Sequence, residues 1–322
     1  MNSKLIDLSI IVPVYRDVET LSILCEDFKA CIGSDTSYEI IFINDGNYQN
    51  AVTRQLEELV KMYENVRAIH FSRCFGQHAG IAAGLKNANG KFMISMDSDL
   101  QYSAADCFSL YSIAVKEAKD LVLSTVKVRR HQIFKSLAIK VFYRLLSGIG
   151  TPVIRDDLGS VFVIRRNLAE GLARMYDRYR FTITMALWLT DDVAYAEVKH
   201  SPRRFGKSGY SFAKSLQHAL TGITSFSSRP LLISLGFSAF FAFLAIILIG
   251  YFLFHMFVSG HHYLPGWASV MLAVLSSSTV ILASQAIQGI YIGRIFDSTK
   301  GRPLYFLQSK SNAEAKLFED RG

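Results

Sequence analysis

Cysteine is scarce in this 322-residue chain: Cys25, Cys31, Cys74 and Cys107 are the four present, and their spacing matches no paired metal-ligand pattern. Free and mostly packed thiols in a reducing compartment are expected. No GxGxxG follows the first apolar run and no GxxxxGK[ST] occurs, which argues against a dinucleotide oxidoreductase and a P-loop enzyme. His70, His78, His131, His200 and His218 are scattered, so no catalytic histidine dyad is indicated. Internal repeats and low-complexity linkers are missing too. No cleavable signal is read at the N-terminus, because Lys4 and Asp7 lead directly into a strand-like run.

The most informative absence is of charge. From Leu231 to Val258, and again from Leu264 to Gly293, there is no Asp, Glu, Lys or Arg. Each stretch exceeds the roughly 20 residues that a helix needs to cross a bilayer. Two transmembrane helices, about 231–258 and 266–293, joined by a short hairpin, are therefore expected. They also account for the hydrophobic fraction of 50%. The net charge of +8 gives an orientation: Arg229 precedes the first span, while Arg294, Lys300 and Arg302 follow the second. The loop between carries only His261 and His262, so the positive-inside rule puts both termini, and with them the chain before residue 229, on the cytoplasmic side. A cytoplasmic tail, 294–322, is expected to be polar and frayed beyond Gln308.

What is present before residue 229 reads as an α/β domain. Leu8 to Val14 is a continuous β-branched and apolar run, as buried parallel strands have. Glu19 to Ile32 then has a helical period, Tyr38 to Ile43 a second strand, and Thr53 to Tyr63 with Val66 to Phe71 a further αβ repeat. Gly76, Gly80 and Gly84 at four-residue spacing let the next helix approach the sheet closely. The central feature is Lys91 to Gln101, KFMISMDSDLQ, where an apolar strand stops abruptly on Asp97 and Asp99. Ligands of open α/β sheets bind at such strand ends. Two carboxylates one residue apart can share a hard divalent cation, which keeps part of its shell for the oxygens of a diphosphate. Asp45 in Asn44-Asp45-Gly46-Asn47 closes the second strand and can accept from a ribose hydroxyl or a base N–H.

Lys127, Arg129, Arg130, Lys135, Lys140 and Arg144 interleave with Ile133, Phe134, Leu137, Val141, Phe142 and Leu145, which predicts a helix over about 129–146. That is an apolar face with a basic margin, the pattern of a helix lying on a membrane surface. Beside two spans it favours membrane over nucleic acid. A second amphipathic stretch, about 211–224, leads into the first span. Lys199 to Tyr210 is basic and Gly-rich, as mobile lids are.

Taken together, Val12-Pro13-Val14-Tyr15, Asn44-Asp45-Gly46, Ser72-Arg73 with Phe75-Gly76, Ala83-Gly84-Leu85 and Asp97-Ser98-Asp99-Leu100-Gln101 resemble the successive blocks of glycosyltransferase family 2. Arg203, Gly206, Ser208 and Tyr210, then Ile223 to Ser227 and Pro230 before the spans, are similar to its polyisoprenyl-phosphate group. The resemblance implies a GT-A fold, a Rossmann-like and mostly parallel sheet, followed by interfacial helices and a two-helix transmembrane hairpin. It implies nucleotide contacts from Pro13, Tyr15, Asp17, Asn44, Asp45, Asp97 and Ser98, and Mg²⁺ or Mn²⁺ on Asp97, Asp99 and Gln101. Asp99 and Arg203 are the implied catalytic residues, and Lys127, Lys135, Asp157, Arg203 and Ser208 the implied acceptor or phosphate contacts.

The expected reaction is inverting transfer from a UDP- or GDP-linked sugar to a polyprenyl phosphate at the inner membrane, for cell-envelope glycan modification. A processive polysaccharide synthase fits less well, since no Gln-x-x-Arg-Trp block occurs; a non-catalytic nucleotide-binding scaffold is the other alternative. Gly289 with Gly293 permits helix association and hence a homo-oligomer. The sequence departs from the family pattern at Asn44, Arg16, Val161-Phe162, Gly209 and Tyr102-Ser103-Ala104.

Overall fold

A computed structural model of the chain describes residues 6–15, 18–46, 51–126, 157–175, 182–199, 201, 229–258 and 266–308. Seven strands lie in chain order as β1 Ile6–Val14, β2 Tyr38–Asn44, β3 Val66–His70, β4 Gly90–Ser95, β5 Leu121–Thr125, β6 Leu158–Arg165 and β7 Val193–Glu197. Between them run α1 Leu21–Cys31, α2 Ala51–Met62, α3 Gln77–Asn87, α4 Ala104–Lys116, α5 Arg166–Arg174 and α6 Thr182–Leu189, and after them α7 Arg229–Val258 and α8 Trp267–Thr299.

The strands form one sheet in the order β3-β2-β1-β4-β6-β5-β7. β1 pairs in parallel with β2, Val12 opposite Phe42, and with β4, Ile10 opposite Ile94. The reversed strand is β6, antiparallel to β4 with Ser95 opposite Phe162, and antiparallel to β5. The result is a mixed α/β, GT-A-like sheet. Ile10, Ile11, Val12, Ile41, Phe42, Ile43 and Ile94 are essentially inaccessible on a sheet with helices packed against it, which is why these strands read as unbroken apolar runs. Pro13 sits opposite Ile43 beyond the last β1–β4 pair, Ile11 with Ser95, so its missing N–H interrupts no ladder on that side.

Helix α3 lies close to this sheet because its glycines allow it. A methyl group at Gly80 would fall 3.1 Å from Pro13 Cβ, and one at Gly84 only 2.2 Å from Ile11 Cγ2. At the N-terminal edge of the sheet, buried Glu39 accepts from the Ser9 hydroxyl, the Asn89 N–H and Arg67, each at 2.7 Å. These bonds hold the carboxylate where it would otherwise be costly to bury. The opposite edge, where the chain leaves β1, β2, β3 and β4, carries the loops that bear Tyr15, Asp45, Phe75, Asp97 and Asp99.

Two compact units are formed. Among the described residues, α7 and α8 belong to one unit, and everything else, including the segment after Gly301, to the other. α7 and α8 pack against each other and leave large apolar side chains open, with Phe240 60%, Phe243 62% and Ile292 65% exposed. Ser276–Thr299 is long and apolar enough to cross a membrane, and Ser234–Ile247 is a shorter apolar stretch. α8 continues past Gly293 through Arg294 and Asp297, so the chain is still helical where a tail was expected.

Candidate active site

The loops leaving β1, β2, β3 and β4 meet the N-terminal end of β6 at one edge, since β6 runs the other way. Asp97 is half-buried and lies two residues after β4. One of its oxygens accepts from Gln77 Nε2 and the other from Ser160 Oγ at 2.7 Å. Gln77 is the first residue of α3 and Ser160 lies in β6, so the carboxylate is oriented from two elements. Asp99 is buried, 5% exposed, and its Oδ1 accepts from the Gln101 N–H at 3.2 Å. Leu100 between them has φ of 57°, a left-handed conformation that non-glycine residues rarely adopt, and such backbone clusters at functional sites. Ser98 is buried in the same turn.

Gln101 connects the turn to the chain after β7. Ser201 donates its N–H to the Gln101 carbonyl at 2.9 Å, and the Gln101 amide approaches the Ser201 carbonyl at 3.5 Å. The basic segment therefore starts at the Asp-x-Asp turn. Tyr102, where the family pattern has an acidic residue, is buried, and its hydroxyl accepts from the Ser160 N–H at 3.3 Å. Burial pushes its phenol up from the usual range. Ser103 caps α4, accepting from the Asp106 N–H at 3.0 Å, so this departure still makes a well-formed turn. Gly159 fits because a methyl group there would lie 2.4 Å from Ser124 Oγ and 2.9 Å from the Tyr102 hydroxyl.

At the tip of β2, Asp45 is 4% exposed and its carboxylate accepts the N–H groups of Phe75 at 2.6 Å and Gly76 at 2.7 Å. Burial raises its pKa, and the two amides oppose the rise. Asp45 thus fastens the loop between β3 and α3, whose Gly76 has φ of +94°. Asn44 is fully buried rather than presented at the surface. Its amide donates to Thr53 Oγ1 at 2.9 Å and lies 3.3 Å from His70 Nδ1, and among the described residues its Oδ1 has no hydrogen-bond partner. Pro13 is buried against α3, while Tyr15, 47% exposed, offers a ring at the end of β1. Asp157 is half-buried just before β6, its carbonyl accepting from Val126 N–H at 2.8 Å. Asp17, Lys127, Lys135, Arg203 and Ser208 lie outside the described residues.

Burial holds the His70 imidazole below the ordinary histidine value of 6.5, with Glu57 opposing. The unfolded chain then binds this proton at higher pH than the folded one, so stability falls as pH drops through 6.5 toward the depressed value. Melting the protein at about pH 7.5 and about pH 5.5 should show a loss on acidification that His70→Asn reduces. An equal slope in the variant would remove His70 from the account.

Among the described residues no cluster of three or more His, Cys, Asp or Glu could hold a metal ion. Asp97, Asp99 and the side-chain amide oxygen of Gln101 are oxygen donors of the type a hard cation takes, leaving positions for diphosphate oxygens. The residues fit Mg²⁺ or Mn²⁺ on those terms. Sequence reasoning missed Gln77 and Ser160 as the groups that orient Asp97, and Tyr102 as the hydroxyl that accepts from the Ser160 N–H, although each adjoins a motif residue.

The sheet, with Asp97 and Asp99 just beyond the end of β4, is that of an α/β enzyme domain. The family model of glycosyl transferase family 2 matches residues 9–172, half of the chain, and the chain belongs to that family. It is a glycosyltransferase. The uncharacterized glycosyltransferase YkcC of Bacillus subtilis is 29% identical over 99% of both chains. An undecaprenyl-phosphate 4-deoxy-4-formamido-L-arabinose transferase of Yersinia enterocolitica is 29% identical over 97% of this chain and 96% of its own. Among solved structures, glucosyl-3-phosphoglycerate synthase from Mycobacterium tuberculosis, in complex with Mn²⁺, UDP-glucose and phosphoglyceric acid, aligns with 70% of this chain and 79% of its own, at 13% identity and a TM-score of 0.47.

Proposed function

We propose that the chain transfers a sugar, with inversion, from a nucleoside diphosphate sugar to a polyprenyl phosphate at the cytoplasmic face of a membrane. The observation that carries this reading is the Asp97-x-Asp99 turn, held by Gln77 and Ser160 and joined through Gln101 to the start of the basic segment at Ser201. The name of the Yersinia relative, aligned over nearly its whole length, supports the lipid acceptor. The open apolar faces of α7 and α8 support the membrane.

In this reading Tyr15 and the loop held by Asp45 receive the nucleoside. Asp97, Asp99 and Gln101 hold Mg²⁺ or Mn²⁺, which when bound supplies charge neutralisation for the departing diphosphate. Arg203 and Ser208, two and seven residues beyond Ser201 in the chain, close over the phosphates. Lys127, Lys135 and Asp157 address the acceptor. A phosphate monoester is largely ionised near neutral pH, its second pKa being about 6, so the attacking oxygen requires no strong base. One displacement at the anomeric carbon inverts it.

The test is transfer by purified full-length protein given undecaprenyl phosphate, Mn²⁺ and a panel of UDP- and GDP-linked sugars. A lipid-linked monosaccharide of inverted configuration, seen by mass spectrometry and NMR, is the expected product. A growing polysaccharide, or nucleotide binding with no transfer to any donor, would overturn the reading.

A further inference from the structure

The chain does not end at α8. Gly301, with φ of +57°, terminates that helix in the left-handed conformation, Pro303 follows, and the next residues reach the edge strand β3. There the Gln308 N–H donates to the His70 carbonyl at 3.0 Å, the Ser72 N–H donates to the Phe306 carbonyl at 3.0 Å, and Leu307 bridges Phe71 antiparallel. The Tyr305 ring stacks on Phe71 at 5.0 Å between centroids, and Phe71 meets Phe75 edge to face at 5.6 Å. Arg73 lies over the Phe75 ring at 4.8 Å.

These contacts have a direction. Phe75 is the residue whose N–H the Asp45 carboxylate accepts at 2.6 Å. A continuous series therefore runs from Tyr305 through Phe71 and Phe75 to the tip of β2. Covering a sheet edge is the obvious alternative use of such a segment. Among the described residues, however, it pairs at His70, Phe71 and Ser72, where β3 becomes the loop, and not alongside Val66–Ile69. Core filling explains it no better, because Phe306 is 63% exposed.

We infer that Arg302 to Gln308 is a positioning segment of the donor site: it fixes the loop from Phe71 to Gly76, and through that loop Asp45, so that the end of β2 is preshaped for a nucleoside diphosphate. The inference rests on the reading of this edge as the donor site. Tyr305 acts through Phe71 and touches no reacting atom.

The experiment uses the full chain in detergent, as wild type, Tyr305→Ala and Tyr305→Phe. Hydrogen exchange at the Phe75 and Gly76 amides and calorimetric binding of UDP and of GDP with Mn²⁺ are measured on each. In Tyr305→Ala, exchange at those two amides should quicken while β1 and β4 stay protected, and nucleotide Kd should rise about three- to tenfold, the worth of one aromatic pair. Tyr305→Phe keeps the ring and should stay much closer to the wild type than Tyr305→Ala in both. Unchanged protection at Phe75 and Gly76 in Tyr305→Ala would overturn the inference, as would an even loss of protection across the sheet. A wild type that binds neither nucleotide would instead sink the donor-site reading, and the exchange result would still decide whether the segment fixes the loop.

Discussion

Replacing Asp99 with Ala should lower the transfer rate by at least about 10³-fold, because a metal at a leaving diphosphate supplies several kcal/mol of charge stabilisation, and each 1.36 kcal/mol is tenfold in rate. Asp99 is the buried member of the pair and lies in a turn whose backbone passes through a left-handed Leu100. Asp99→Asn is the sharper variant, since its side-chain oxygen can still accept from the Gln101 N–H while the negative charge is gone. The loss should appear in kcat, with the Mn²⁺ dependence shifted to higher concentration. Circular dichroism matching the wild type would show that the turn had survived. Turnover within a few-fold of the wild type in Asp99→Asn would remove the metal assignment and leave the carboxylate a structural part of the turn.

The second large effect concerns packing. Gly84→Ala should destabilise the sheet unit by about 1–3 kcal/mol, as expected for overpacking a filled core, and lower the Tm by roughly 3–10 °C. The methyl group would fall 2.2 Å from Ile11 Cγ2, with Cγ1 and Cβ of the same residue at 3.1 and 3.2 Å. Ile11 is fully buried in the central strand and stiff at χ1, so relief comes only by lifting α3. That helix begins with Gln77, so a lifted α3 also draws Gln77 from Asp97. Gly80→Ala, 3.1 Å from Pro13 Cβ, should cost less, and Gly33→Ala, with nothing within 4 Å, should be close to neutral. A Gly84→Ala protein melting with the wild type would show that α3 floats on the sheet more freely than these distances allow.

The parallel half of the sheet was legible because buried strands leave unbroken apolar runs, and β2 and β4 end on polar residues, Asn44 and Ser95, at the edge where the chain turns. For the same reason Asp97, Asp99 and Asp45 could be picked out as strand-end carboxylates. What those groups touch was not legible. Gln77 and Ser160 reach Asp97 across 20 and 63 residues, and nothing local marks such contacts. Asn44 shares the tip of β2 with Asp45, yet its side chain is buried beside Thr53 and His70, because successive residues of a strand face opposite sides. The reversal of β6 and the return of the chain at Tyr305 also escaped, since each is decided by pairing between distant segments.

The placement of β6 has a consequence for biosynthesis. β4 is flanked by β1, made before it, and by β6, whose Phe162 pairs with Ser95. At translation rates of about 5–20 residues per second, the far edge of β4 waits several seconds for its neighbour. During that interval a nascent half-sheet presents the apolar border of Met93 and Ile94 to whatever is near the ribosome. Slowing elongation between codons 96 and 157 should therefore increase the nascent chain's capture by chaperones, whereas the same pause placed after codon 165 should not.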